Sequence, residues 1–164
     1  MTSRLPKLVA FDLEHNHKIE FYHDVAEILH RLRGSGVIIA ACSRTSAPGL
    51  ARQTLSLLLV PPKAGDKHSK PMKAIEFFDQ MEIYPGSKMK HFRQLHKKTG
   101  IPYTEMLFFD DEHRNKEVEE LGVTFTLIRT ALDDRTFEGG LDEWRRRHVV
   151  EVVEDAAGDD VKGI

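Results

Sequence analysis

KLVAFD, residues Lys7–Asp12, decides the fold. Leu8 to Phe11 is an unbroken apolar run, too short for an ordinary helix and closed abruptly by a carboxylate. With it Lys7–Phe11 reads as a buried strand, ended by Asp12. The same pattern returns twice. Val37–Ala41 (VIIAA) is followed by Cys42-Ser43-Arg44-Thr45, and Met106–Phe109 (MLFF) by Asp110-Asp111. Amphipathic stretches lie between these runs, and that alternation predicts a parallel sheet flanked by helices.

Working outward, Asp24–Arg33 reads as a helix with Val25, Ile28, Leu29 and Leu32 on one face, stopped by Gly34 and Gly36. Thr45 or Ser46 is expected to cap a helix reaching about Leu58, with Leu55, Leu57, Leu58 and Leu59 supplying its apolar surface. Pro61–Pro71 (PPKAGDKHSKP) has the composition of an exposed loop. A short helix over Met72–Phe78 and a short strand at Met81–Ile83 follow. Ser87 opens a helix to about Lys98, with Phe92 and Leu95 inward and Gly100-Ile101-Pro102 after it. Glu112–Leu121 reads as a helix closed by Gly122, Val123–Ile128 as a strand, and Asp133–Arg147 as helical around Leu141 and Trp144. Residues 1–148 therefore form one core. Residues 149–164 read as an acidic tail, expected to be mobile.

The bulk composition narrows the function classes. A chain of 164 residues, 40% hydrophobic and 30% charged, suits one globular domain. Its formal charge of −2 gives no reason to expect nucleic acid or an anionic membrane as partner. No apolar run approaches the roughly 18 residues of a membrane span, and Met1–Lys7 lacks a signal-peptide core. The single cysteine, Cys42, has no internal disulfide partner. A cytoplasmic, or nuclear, location is the expectation.

Chemistry gathers at one kind of place. Asp12, Ser43 and the pair Asp110-Asp111 each follow a buried strand, and that edge of an open α/β sheet is where ligands bind. Taken singly, each has an ordinary explanation: a strand-end aspartate or serine caps a helix, Asp110-Asp111 suits a helix dipole, and Lys88 is a surface lysine. Taken together they do not. Converging carboxylates repel unless a cation compensates, and hard oxygen ligands suit Mg²⁺. Ser43 and a helix N-terminus offer donors to a phosphate, and Lys88 offers a compact positive charge. The set describes a phosphoryl-transfer site. His15, His17 and His23, without cysteine partners, do not make a convincing metal cluster.

KLVAFDLE, ACSRTS, EIYPGSKMKHF and MLFFDDEHRN resemble the four motifs of the haloacid dehalogenase (HAD) superfamily, and within it the magnesium-dependent phosphatase-1 family. The resemblance runs from about Leu5 to Trp144. It implies a Rossmann-like three-layer sandwich with a small or absent cap. It further implies that Asp12 attacks phosphorus to form an aspartyl-phosphate. By the same resemblance Ser43 would hold a phosphoryl oxygen, with Arg44 touching substrate. Lys88 would neutralise nucleophile and phosphate, and Asp111 would bind Mg²⁺ with Asp12 and Asp110. Asn115 stands where relatives carry another acid, placed to orient the metal's water. The implied substrate is a small phosphorylated metabolite such as a sugar phosphate, or a phosphotyrosine-type ester.

One departure matters. The family's first motif is Asp-x-Asp-x-Thr, whereas this chain reads Asp12-Leu13-Glu14-His15-Asn16. Glu14 carries the acid of the motif one methylene further out, and geometry comes before pKa in a general acid. The segment Leu13–His23 is also too short for the helical turn and hairpin flap of relatives. Either the flap is lost, or residues are absent between Leu13 and Glu14. The second reading is favoured because KIEFYHDV (Lys18–Val25) resumes the family pattern, and Glu14 would then not be the acid. A chain break there, or an open site without a flap, is expected. Two other readings compete. A receiver domain also joins an acidic pair, a hydroxyl and a lysine, but its lysine comes last, whereas Lys88 precedes Asp110. A relative that has lost catalysis and serves in binding or regulation would also explain the altered motif.

Overall fold

The computed structural model describes residues 4–13 and 23–159. In chain order these form β1 (Leu8–Asp12), α1 (His23–Gly34), β2 (Ile38–Ser43), α2 (Pro48–Leu57), β3 (Leu59–Val60) and β4 (Met72–Lys73). There follow β5 (Gln80–Ile83), α3 (Lys88–Thr99), β6 (Met106–Asp110), β7 (Thr124–Leu127) and α4 (Asp134–Asp159). Five strands make one parallel sheet in the order β5-β2-β1-β6-β7. β1 is central, so Asp12 emerges in the middle of the C-terminal edge. The chain reverses its winding between β1 and β6, which opens a crevice beside Asp12.

Strand alternation sorts the core into two layers. Val9, Phe11, Ile39, Ala41, Leu107 and Phe109 point to one face. There they meet Leu29 and Leu32 of α1, Leu55 of α2, and Phe137, Leu141 and Trp144 of α4. Leu8, Ala10, Ala40, Cys42, Met106 and Phe108 point to the other, against Phe92 and Leu95 of α3 and Val118. Phe11 and Phe109 stack across neighbouring strands at 5.7 Å. Each fully buried side chain of this size contributes about 1.5–3 kcal/mol, so the two faces anchor the sheet firmly. This is the expected α/β three-layer sandwich.

Several local readings are corrected. The predicted helix over Met72–Phe78 is split: Met72–Lys73 pairs antiparallel with Leu59–Val60, and only Ala74–Phe77 turns, as a 3-10 helix. His113–Leu121 likewise forms 3-10 turns rather than an α-helix. α2 starts later than Thr45 or Ser46 would place it, with Ala47 at its N-cap and Pro48 just inside. Proline needs no acceptor for the N–H it lacks, and the Thr45 hydroxyl instead accepts from the Ala47 N–H at 3.1 Å. Of the four leucines assigned to the core side of α2, Leu55 is buried, whereas Leu57 and Leu59 are exposed. The loop from Pro61 to Pro71 lies on the surface as expected. α4 passes residue 148 and runs through Asp159. Among the described residues no helix is long and apolar enough to cross a membrane. Glu14, His15, His17 and the junction after Leu13 lie outside the described residues.

At Gly140 α4 packs tightly on the sheet. A Cβ there would lie 2.6 Å from Cε1 and Cζ of Phe109 and 2.9 Å from the Thr126 hydroxyl. Gly139 beside it has nothing within 4 Å. Alanine normally gains about 0.5–1 kcal/mol over glycine inside a helix. We expect that gain from Gly139→Ala, whereas Gly140→Ala should destabilise by about 1–3 kcal/mol through overpacking. Denaturant titration of the two variants checks both signs.

Candidate active site

Asp12 pairs in register with Cys42, which puts Ser43 one residue further along β2 at the same edge. The Cys42 carbonyl accepts from the Leu13 N–H at 3.3 Å and from Lys88 Nζ at 3.1 Å. Lys88 is the first residue of α3, with Ser87 as N-cap accepting from the Lys90 N–H. Its side chain is fully buried and its ammonium lies 3.2 Å from Asp12 Oδ1. A lysine buried to that degree needs a carboxylate and a carbonyl to offset its lost hydration, and it has both. Lys88 is therefore an ion-pair partner of Asp12, not a surface lysine.

Asp110 ends β6 and is buried, while Asp111 is exposed. One carboxylate oxygen from each of Asp12, Asp110 and Asp111 lies within 4.8 Å of the others, a spacing that could hold a cation. Asp110 is oriented at both oxygens: Oδ1 accepts from the Glu112 N–H at 3.0 Å and Oδ2 from the Asn115 amide. Asn115 is itself buried, and its carbonyl oxygen accepts from Arg44 Nη2. Arg44, Asn115 and Asp110 therefore form one hydrogen-bonded line from β2 to β6. Ser43 Oγ accepts from the Thr45 N–H at 3.2 Å, which fixes its rotamer.

Cys42 lies beneath the site. Burial pushes its thiol up to about 12, so it is an inert packing residue rather than a nucleophile. Sequence reasoning passed over Glu82, Tyr84 and His91, all within the EIYPGSKMKHF stretch. Glu82 is fully buried in β5, where its Oε1 accepts from Lys98 Nζ at 2.7 Å and its Oε2 from the Tyr84 hydroxyl. A signal was available: Glu82 interrupts an apolar strand, and His91 falls on the inward face with Phe92 and Leu95.

Burial lowers His91 to about 4. Its unfolded imidazole titrates near 6.5, so between about 6.5 and 4 the unfolded chain binds a proton that the folded chain refuses. Stability from this group is thus full at pH 7 and falls as the pH drops through that window, by up to about 1.4 kcal/mol per unit. His91→Gln should flatten that part of the acid slope. Melting curves of the two proteins at pH 7, 6 and 5 check this.

A site of converging carboxylates, a buried lysine and a strand-end hydroxyl can be set beside known proteins. Residues 14–147 match the acid phosphatase family. Human magnesium-dependent phosphatase 1 is 36% identical over 172 aligned positions, which cover 88% of this chain and 90% of the human protein. The chain belongs to this family of HAD-like phosphatases. A HAD-like hydrolase superfamily protein of Schizosaccharomyces pombe is 52% identical over 108 residues, 66% of this chain; the chain spans 60% of that relative's length. Two solved structures share the fold of this chain. One is an uncharacterized protein from Corynebacterium glutamicum (TM-score 0.60, 11% identical, 85% of this chain and 95% of that one). The other is the N-terminal part of a Bacteroides fragilis protein containing a phosphatase domain complexed with Mg (TM-score 0.57, 17% identical, 85% and 40%).

Proposed function

We propose that this HAD-like phosphatase is Mg²⁺-dependent and hydrolyses phosphate monoesters through an aspartyl-phosphate on Asp12. The observation that carries the reading is the Asp12–Asp110–Asp111 cluster with the buried Lys88 ammonium 3.2 Å from Asp12. Three hard carboxylate donors, one of them exposed, fit Mg²⁺, which keeps some of its waters and takes phosphate oxygens as further ligands. Asp12, Asp110 and Asp111 would hold the ion, and when bound it supplies charge neutralisation to the carboxylates and the phosphoryl group.

The protein's own groups account for the steps. An Asp12 carboxylate oxygen forms a bond to phosphorus as the bond to the leaving oxygen breaks. Lys88 pairs with the Asp12 carboxylate and offsets charge on the phosphoryl oxygens. Ser43 donates to one of those oxygens. Arg44 Nε is buried without a hydrogen-bond partner among the described residues, which supports a role for this side chain in holding substrate. Asn115 holds Asp110 and Arg44 in place. Where the chain runs unbroken from Leu13 into Glu14, Glu14 is the donor of the proton to the leaving alcohol, with water then cleaving the acyl-phosphate. The substrate class we assign is a small phosphorylated metabolite, such as a sugar phosphate, or a phosphotyrosine-type aryl ester. The formal charge of −2 gives no reason to expect nucleic acid or an anionic membrane as partner. A relative that has lost catalysis is the weaker reading, since it rests on the altered first motif alone.

The test is hydrolysis of p-nitrophenyl phosphate. Turnover should require Mg²⁺ and fall to background with excess chelator, and adding Mg²⁺ should restore it. Hydrolysis undiminished in chelator refutes the metal assignment, and no hydrolysis under any condition refutes the phosphatase.

A further inference from the structure

Tyr84 is tied at every polar atom it carries. Its N–H donates to the Ser43 carbonyl at 3.0 Å, where β2 ends. Its own carbonyl faces His91 Nε2 at 2.9 Å. A carbonyl only accepts, so Nε2 carries the ring proton and donates it. Its hydroxyl donates to Glu82, which is also held by Lys98 from the far end of α3. The His91 and Tyr84 rings pack in a T-shaped pair with centroids 4.6 Å apart.

These contacts enclose the turn Pro85-Gly86-Ser87 that delivers Lys88. Gly86 adopts φ 140°, a conformation L side chains rarely adopt, so this turn requires glycine and its own backbone does little to hold it. His91 lies one helical turn beyond Lys88 on the same side of α3. It is fully buried, and so is Glu82. Burying a carboxylate and an imidazole on one short segment is costly unless both are paired, and both pair with Tyr84. His91 Nδ1 has no partner among the described residues, so the ring's contribution is the single bond to the Tyr84 carbonyl.

We propose that Tyr84, clasped by Glu82 and His91, is a positioning residue that fixes Lys88 against Asp12 and ties it to the Ser43 strand end. The kinetic consequence rests on the phosphatase reading above; the geometric one does not. Two measurements keep them apart. The first is covalent labelling of lysines by an acylating reagent in the full-length protein, quantified per residue by mass spectrometry. Lys88 should be strongly protected in the wild type. Its labelling should rise about tenfold in His91→Leu and several-fold in Tyr84→Phe, and fall back in His91→Gln, whose amide can replace the lost donor. Alkylation of Cys42, equally buried, should stay slow throughout, which excludes general unfolding. The second is p-nitrophenyl phosphate turnover with Mg²⁺: kcat should fall about tenfold in His91→Leu with KM within about twofold, and recover in His91→Gln, because a displaced charge harms the transition state most. Lys88 labelling at the wild-type rate in both His91→Leu and Tyr84→Phe overturns the proposal, whether or not the protein turns over. Wild-type protein without turnover overturns the phosphatase reading and leaves the labelling to decide the clasp.

Discussion

Asp12→Asn is expected to lower turnover by about 10⁴-fold or more while leaving the fold intact, because an amide cannot attack phosphorus and is nearly isosteric with the carboxylate. Its effect on stability should depend on the metal. In chelator Asp12 sits within 4.8 Å of two other carboxylates, so neutralising it relieves repulsion. It also weakens the pairing with Lys88. The two changes oppose each other, and the melting temperature in chelator should move little. Added Mg²⁺ should stabilise the wild type and stabilise Asp12→Asn much less, since an anionic ligand is gone. Turnover assays with melting curves in chelator and in Mg²⁺ read both effects. An Asp12→Asn protein with most of its activity would refute the nucleophile.

Lys88→Met should be the second severe lesion, and it should act on stability as well as catalysis. The ammonium is fully buried against Asp12 and the Cys42 carbonyl. Removing it leaves a carboxylate with an excluded counter-charge beside Asp110, which typically costs about 3–5 kcal/mol. Turnover should fall by about 10²–10³-fold from the lost stabilisation of phosphoryl charge. The double variant Asp12→Asn/Lys88→Met separates the two losses. Its stability should recover well above that of Lys88→Met, because position 12 no longer carries a charge that lacks its counter-charge, while its activity should stay absent. A double variant no more stable than Lys88→Met would show that the ion pair is not what Lys88 contributes to the fold.

The parts legible in the sequence are those set by local pattern. LVAF, VIIAA and MLFF could only be buried strands, and the polar residues that end them had to meet at one edge. That reasoning yields the parallel sheet, Asp12, Ser43 and Asp110-Asp111, and the helix that Ser87 opens adds Lys88. Pairings between distant segments leave no such pattern. The β3–β4 ribbon depends on a two-residue match across an exposed loop, and Met72-Lys73 alone does not announce it. The line Arg44–Asn115–Asp110 and the anchoring of Tyr84 arise only once β5, β2, β1 and β6 lie side by side. The exposure of Leu57 and Leu59 follows from where α2 ends over the sheet, not from their chemistry. Glu14 and the short segment after Leu13 fall outside the described residues. The alignment to the human relative is 172 positions long, longer than this chain of 164, so that relative carries insertions this chain lacks.

The central claim is that Asp12 takes up the phosphoryl group within reach of Ser43 and Lys88. Soaking the Mg²⁺-bound protein with beryllium fluoride, a mimic of the acyl-phosphate, and determining the crystal structure tests it most directly. We predict a beryllium–oxygen bond to an Asp12 carboxylate oxygen, fluorides facing Ser43 Oγ and Lys88 Nζ, and a metal ion held by Asp12, Asp110 and Asp111. A fluoride adduct on any other residue, or a metal ion bound away from these three carboxylates, would contradict it.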